Sequence, residues 1–156
     1  MRVANLLVPS AAAVAMLASL PVRAQPGNPP AASATALAVA DAWVRAAPGA
    51  DVAAAYMKLH NRGPSELVVI AVRTALAREA MIHETRIERG ESTMRARERV
   101  AVAPGASVAL SPGGLHVMLR GLAHPLAVGE EVRLELLLAG GGSVAVSARV
   151  RPLNAE

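Results

Sequence analysis

The sequence predicts an all-β fold, a single-domain antiparallel β-sandwich, and three observations carry that reading. After residue 38, short apolar stretches separated by turn signals recur at near-regular spacing. Two of these stretches alternate cleanly. Val132, Leu134, Leu136 and Leu138 interleave with Arg133, Glu135 and Leu137, and Val144, Val146, Ala148 and Val150 with Ala145, Ser147 and Arg149. A period of two sends one side to a core and the other toward solvent. Nothing reaches the length of a stable amphipathic helix, although 75–82 (ALAREAMI) could form a turn or two. The chain's 156 residues suit one domain with one core.

Residues 1–24 read as a secretory signal. Arg2 gives a minimal positive start, and an apolar run extends from Val3 to Leu20 around Pro9. Val22 and Ala24 then supply the small residues expected before a cleavage at Gln25. A short run broken by proline is marginal for spanning a bilayer, so a cleaved signal is preferred to a retained anchor, with no membrane span in the mature form. Export to the periplasm is the expectation. Residues 25–38 (QPGNPPAASATALA) lack periodicity and read as a flexible leader, which leaves 39–151 for the sandwich.

The strand candidates are 39–45, 52–60, 66–73, 80–87, 92–98, 106–110, 115–119, 131–138 and 143–150. Residues 80–98 read as a hairpin around Glu88-Arg89-Gly90-Glu91. Pro112-Gly113-Gly114 forms a turn before 115–119, and Gly140-Gly141-Gly142 joins the last two strands, where positive φ costs little.

Composition narrows the function. The formal charge of +4 is carried almost wholly by arginine, Lys58 being the single lysine. Removing Arg2 and Arg23 with the signal leaves 14 basic residues against 12 acidic ones. That small excess, with Trp43 and Tyr56 as the only aromatics, argues against nucleic-acid binding. Cysteine is absent. Disulfides, thiol chemistry and lipid attachment through an N-terminal cysteine are therefore excluded for this sequence.

Four residues carry the chemistry: His83, Met94, His116 and Met118. Ten residues separate the first two, twenty-one the next two, and the last pair forms a His-x-Met triplet. His116 and Met118, two apart on a strand, leave the same face at a backbone spacing of roughly 6.5–7 Å. Leu115, Val117 and Leu119 take the opposite, core-facing side, and the preceding turn sets the pair near the rim. In a hairpin with an even-length loop, paired residue numbers sum to an odd number. His83 and Met94, of opposite parity, then share a face. A bulge or an odd loop would break that relation.

Two imidazoles and two thioethers suit a soft monovalent metal, Cu(I) above all. Zinc favours Cys, His and carboxylate, calcium and magnesium favour oxygen, and a blue-copper carrier needs a Cys thiolate. All four donors are neutral when bound, and only the imidazoles must shed a proton. Neutral donors hold Cu(I) less firmly than paired thiolates do, which suits delivery better than storage or catalysis.

These residues resemble the signature H(M)x10Mx21HxM of the periplasmic copper(I) chaperones called PCuAC. The surroundings agree: Ala42-Trp43-Val44-Arg45-Ala46 before Pro48-Gly49, Ala53 to Met57, Asn61-Arg62-Gly63, Pro112-Gly113-Gly114, and Gly121-Leu122 before Pro125-Leu126. The similarity spans about residues 40–150. It implies a cupredoxin-like, broadly immunoglobulin-like, sandwich with Cu(I) held by the two His and two Met. It further implies copper supply to the CuA centre of cytochrome c oxidase subunit II, directly or with a Sco-type partner. The bracketed Met of the signature is Glu84 here. The chain ends without the His/Met-rich tail of some relatives, so one copper per chain is expected.

Other residues receive plainer readings. Met81 shares the parity of His83 and could border the site, but core filling is preferred for it, as for Met57. His60 and His124 are assigned to loops or strand ends, and Trp43 and Tyr56 to the core as anchors. Glu84 could orient a ligand imidazole, but a solvated face is preferred. The same holds for the Arg95, Arg97 and Arg99 stripe against docking to an acidic partner. The competing functions are periplasmic copper buffering or tolerance and a non-metal immunoglobulin-like interaction module. An enzyme is not expected, since no acid/base pair or nucleophile is grouped with the four.

Overall fold

A computed structural model describes residues 36–154. The expected signal, 1–24, and the leader up to residue 35 lie outside the described residues. Ten strands follow in order: β1 (Leu37–Ala46), β2 (Val52–Asn61), β3 (Leu67–Arg73), β4 (Ala77–Glu88), β5 (Glu91–Ala96), β6 (Val100–Val102), β7 (Ser107–Leu110), β8 (Leu115–Leu122), β9 (Glu131–Leu138) and β10 (Ser143–Arg151). The fold is all-β, as the alternation predicts. Nine strands match expected stretches, and β6, three residues long, was not foreseen. Strand β1 begins at Leu37, inside the expected leader, because Leu37 and Ala38 pair with Asn61 and His60 of β2. The possible helix at 75–82 is instead the start of β4, held by pairing with β8 from Ala77 onward.

The strands lie in one path, β5-β4-β8-β2-β1-β10-β9-β3-β6, with β7 on the second half of β2. Pairs are antiparallel except β1 with β10, which run parallel. The inward faces enclose one apolar core. Val132, Leu134, Leu136 and Leu138 of β9 are all buried there, as are Val146, Ala148 and Val150 of β10. The three-glycine turn joining β9 and β10 holds positive φ at Gly140, Gly141 and Gly142, as expected of a turn only glycine enters freely.

A bulge in β1 decides which residues face the core. The register with β2 shifts between Ala40 and Trp43, at Asp41, whose φ is +52°. One extra residue flips every side chain beyond it to the other face. Val44 and Ala46 therefore enter the core, whereas Trp43 turns outward with Tyr56, its partner on β2. Both aromatics are buried, as expected of anchors, but they pack against each other on the outward side and not in the main core cluster. Met57 does fill the core, 1% exposed.

Asn61 is the one fully buried side chain that is polar among the described residues. Its amide donates to the carbonyls of Ser65 (2.7 Å) and Val102 (2.9 Å), and its Oδ1 accepts from Gly63 N–H (2.8 Å). It thus ties the end of β2 to the following turn and to β6. A side chain at Gly63 would meet Ala36 Cβ at 3.0 Å and Asn61 Oδ1 at 3.2 Å, so the turn keeps glycine. Replacing Asn61 with Ala strands the Val102 carbonyl inside the protein. The expected cost is about 2–4 kcal/mol in urea unfolding, and an unchanged midpoint would contradict this role for the amide.

Candidate metal centre

Strand β8 lies between β2 and β4, and its two faces divide the labour. Val117 and Leu119 are fully buried in the core. His116 and Met118 leave the opposite face, as alternation predicts. On β4, His83 stands directly across from His116, and Met81 directly across from Met118. The two imidazole centroids are 6.0 Å apart, with the rings edge-on at 74°.

Met94 reaches the same face through β5. Glu88 pairs with Glu91 across the two-residue turn Arg89-Gly90, both at positive φ (+55° and +83°). That turn type matches the twist of its flanking strands. The loop is even, so Thr85 pairs with Met94 and His83 with Ala96. Met94 accordingly sits on the face of His83, diagonal to it, the geometry in which long side chains still meet. The four side chains foreseen from spacing thus occupy one face of three neighbouring strands.

Their exposures differ. His116 is 5% exposed, more enclosed than a rim position suggests, because the Tyr56 ring lies 6.3 Å away on one side and His83 on the other. Met94, on the edge strand, is 50% exposed. Met118 is half-buried.

Backbone groups prepare the imidazoles. His116 Nδ1–H donates to the Gly114 carbonyl at 3.0 Å, which leaves Nε2 as the nitrogen with a free lone pair. The same carbonyl accepts the Thr85 N–H at 3.0 Å. The Pro-Gly-Gly turn thereby binds both β4 and the ring of His116, a link that spacing alone did not reveal. His83 Nδ1 is buried without a hydrogen-bond partner. An orphaned buried nitrogen is costly, and a Lewis acid is the kind of group that would satisfy it. Among the described residues, no group of three or more His, Asp or Glu side chains is placed to hold a metal ion.

Beyond His116 the face continues in an aromatic and cationic row. Trp43 and Tyr56 stack with centroids 4.6 Å apart. Arg45 donates to Tyr56 Oη at 2.7 Å and lies over its ring, while Arg151 lies over Trp43. These residues fix the wall against which His116 rests. The bulge in β1 was the missed signal.

Glu84 points to the reverse face. Its carboxylate pairs with Arg97 at 2.6 Å and Arg86 at 3.2 Å, and Arg86 foremost holds it below the usual carboxylate range. It orients neither imidazole. Arg95 stands across from Glu84, so Arg95 and Arg97 also turn away from the four. His60, near the end of β2, bonds Ser107, and His124 lies in a loop beside Glu130, both apart from the site.

Comparison with known proteins gives a consistent picture. The sequence model of the family described as "Putative lipoprotein LpqE-like" matches residues 37–150. A protein of Leifsonia xyli subsp. xyli (strain CTCB07), "Putative lipoprotein Lxx21020", is 32% identical over 137 residues, covering 86% of this chain and 80% of that one. The solution structure of CuI-DR1885 from Deinococcus radiodurans superposes with a TM-score of 0.61 at 35% identity, over 81% of this chain and 86% of that one. The apo PCuAC domain from PmoF1 gives 0.63 at 27% identity, over 75% and 94%.

Burial above all, then the nearby His116 and Arg120, holds His83 below the ordinary imidazole value of 6.5. A depressed imidazole is neutral in folded and unfolded chains above that value, so it costs nothing there. As pH falls below it, the unfolded chain takes up the proton first and stability drops toward the folded pKa. Metal-free protein should therefore lose stability as pH falls below about 6.5, with a shallower slope in His83→Gln. Equal slopes in paired urea titrations would contradict the assignment.

Proposed function

This chain belongs to the LpqE-like family, of PCuAC type, and from that premise we propose that it is a periplasmic Cu(I) metallochaperone. In this reading His83, Met94, His116 and Met118 hold one Cu(I), which is cargo and not a resident cofactor. The observation that carries the proposal is the shared face. Two imidazoles stand directly opposed, one with an orphaned nitrogen and the other with its Nδ1–H already committed, and two thioethers flank them.

The donor chemistry supports the choice of ion. Thioether sulfur is soft and neutral, so it favours Cu(I) over zinc or a hard divalent cation. Neutral donors leave the complex its single positive charge. A recipient offering thiolates gains the Coulomb attraction that this site lacks, so transfer runs toward it. The proposed recipient is the CuA site of cytochrome c oxidase subunit II, with or without a Sco-type intermediary, as the PCuAC resemblance implies. Binding, not catalysis, is the proposed activity: Glu84, the nearest carboxylate in sequence, is engaged on the reverse face.

Export supports the same role. The name of the Leifsonia relative describes a lipoprotein, and among the described residues no helix is long and apolar enough to cross a membrane. We propose removal of residues 1–24 and a soluble mature form. This sequence has no cysteine to carry a lipid.

Titration of mature protein with Cu(I) against a competing chelator should show one equivalent bound. Met94→Ala should weaken it by roughly 10–100-fold. Identical curves for wild type and variant would remove the proposed site. Loaded protein mixed with an apo CuA domain should give up its copper. Retention of the ion would favour the second reading, copper buffering, which uses the same four residues.

A further inference from the structure

The copper face carries a sulfur that the four-residue signature does not include. Met81 lies two residues before His83 on β4, on the same face, and pairs directly with Met118 of β8. Met81, His83, His116 and Met118 therefore make a two-by-two grid on adjacent strands. Directly opposed Cβ atoms are ~4.5–5.5 Å apart and diagonal ones ~7–8 Å. By backbone placement Met81 is no farther from the centre of that grid than Met118.

Packing leaves this thioether uncommitted. Met57 fills the core, but Met81 belongs neither to the core cluster nor to the half-buried residues packed against it, contrary to its expected role as filler. It borders an open groove with Ala96, the residue across from His83. A methionine has three freely turning bonds, so the side chain can swing between groove and grid.

Resting on the chaperone reading, we propose that Met81 is a reserve Cu(I) donor, one that takes the ion's sulfur position when Met94 lets go. Met94 is on the edge strand and half in solvent, so it is the donor most easily drawn off. The exchange forms a Cu–S bond to Met81 and breaks the one to Met94. Both ligands are neutral, no proton or electron moves, and copper stays Cu(I).

The test uses mature protein carrying 13C-methyl methionine, titrated with Cu(I), alongside Met81→Leu, Met94→Ala and the double variant. Leu keeps the volume of Met, so folding should persist, with an amide spectrum as the check. The Met81 methyl resonance should move on metal addition, most strongly in Met94→Ala. Met81→Leu alone should change affinity by less than about 3-fold, but the double variant should bind at least ~10-fold more weakly than Met94→Ala. A still Met81 methyl, or a double variant equal to Met94→Ala, overturns this proposal while the four-residue site stands. Wild type that takes up no Cu(I) overturns both.

Discussion

The site depends on β8 being a strand with a neighbour on each side. β2 pairs Ala53, Ala54 and Ala55 with Leu119, Met118 and Val117, and β4 pairs Met81 and His83 with Met118 and His116. Because successive side chains alternate, core packing of Val117 and Leu119 forces His116 and Met118 out on the far side. The hydrophobic effect therefore aims the polar pair with no direct energetic interest in it. A one-residue slip of β8 would put His116 into the core and Val117 on the surface, and that double penalty keeps the register true.

The Gly114 carbonyl adds rigidity that strand pairing alone does not provide. It accepts the Thr85 N–H and the His116 imidazole N–H together. Thr85 is also the partner of Met94. One carbonyl on a tight turn thus relates the strand bearing His83, the ring of His116 and the position of Met94. Gly113, at φ +76°, lets the turn close. A hydrogen bond of this kind from Nδ1–H fixes which nitrogen of the histidine is available.

Much of this was legible in the sequence because parity is a strong constraint. Two residues apart on a strand means one face, and an even hairpin loop puts residues of opposite parity together. Both rules apply to the four proposed donors, and the Arg89-Gly90 turn satisfies the second. What escaped notice were features that parity does not encode. The bulge at Asp41 reverses the faces of β1 and turns Trp43 outward onto Tyr56, which the alternation of β2 already faces outward, so the two line the wall beside His116. Asp41 carries φ +52° and an exposed ion pair with Lys58 at 2.8 Å, neither of which hydropathy signals. Strand β6 has too few residues to show a period. Burial of His116 was missed for the same reason as the wall: its cover comes from β2, whose outward aromatic only the pairing pattern reveals.

The proposed donors differ in exposure and in how they are anchored, and that difference bears on how an ion would leave. Nitrogen sits deep: His116 is enclosed by Tyr56 and His83 and tied to Gly114. One sulfur sits outside: Met94 is half exposed, on a strand paired on one side only, whereas Met118 on the central β8 is half-buried like His83. A recipient of the proposed kind would meet Met94 first. In the proposed role the bond to Met94 would break first and the bond to His116 last, so the ion would stay held from the protein side until the recipient's own ligands are in place. A site with all four donors equally buried would bind without releasing, and one with all four exposed would not hold the ion against water and chelators. In the proposed role the fold would avoid both extremes, because a buried histidine of a central strand and a half-exposed methionine of an edge strand share one face.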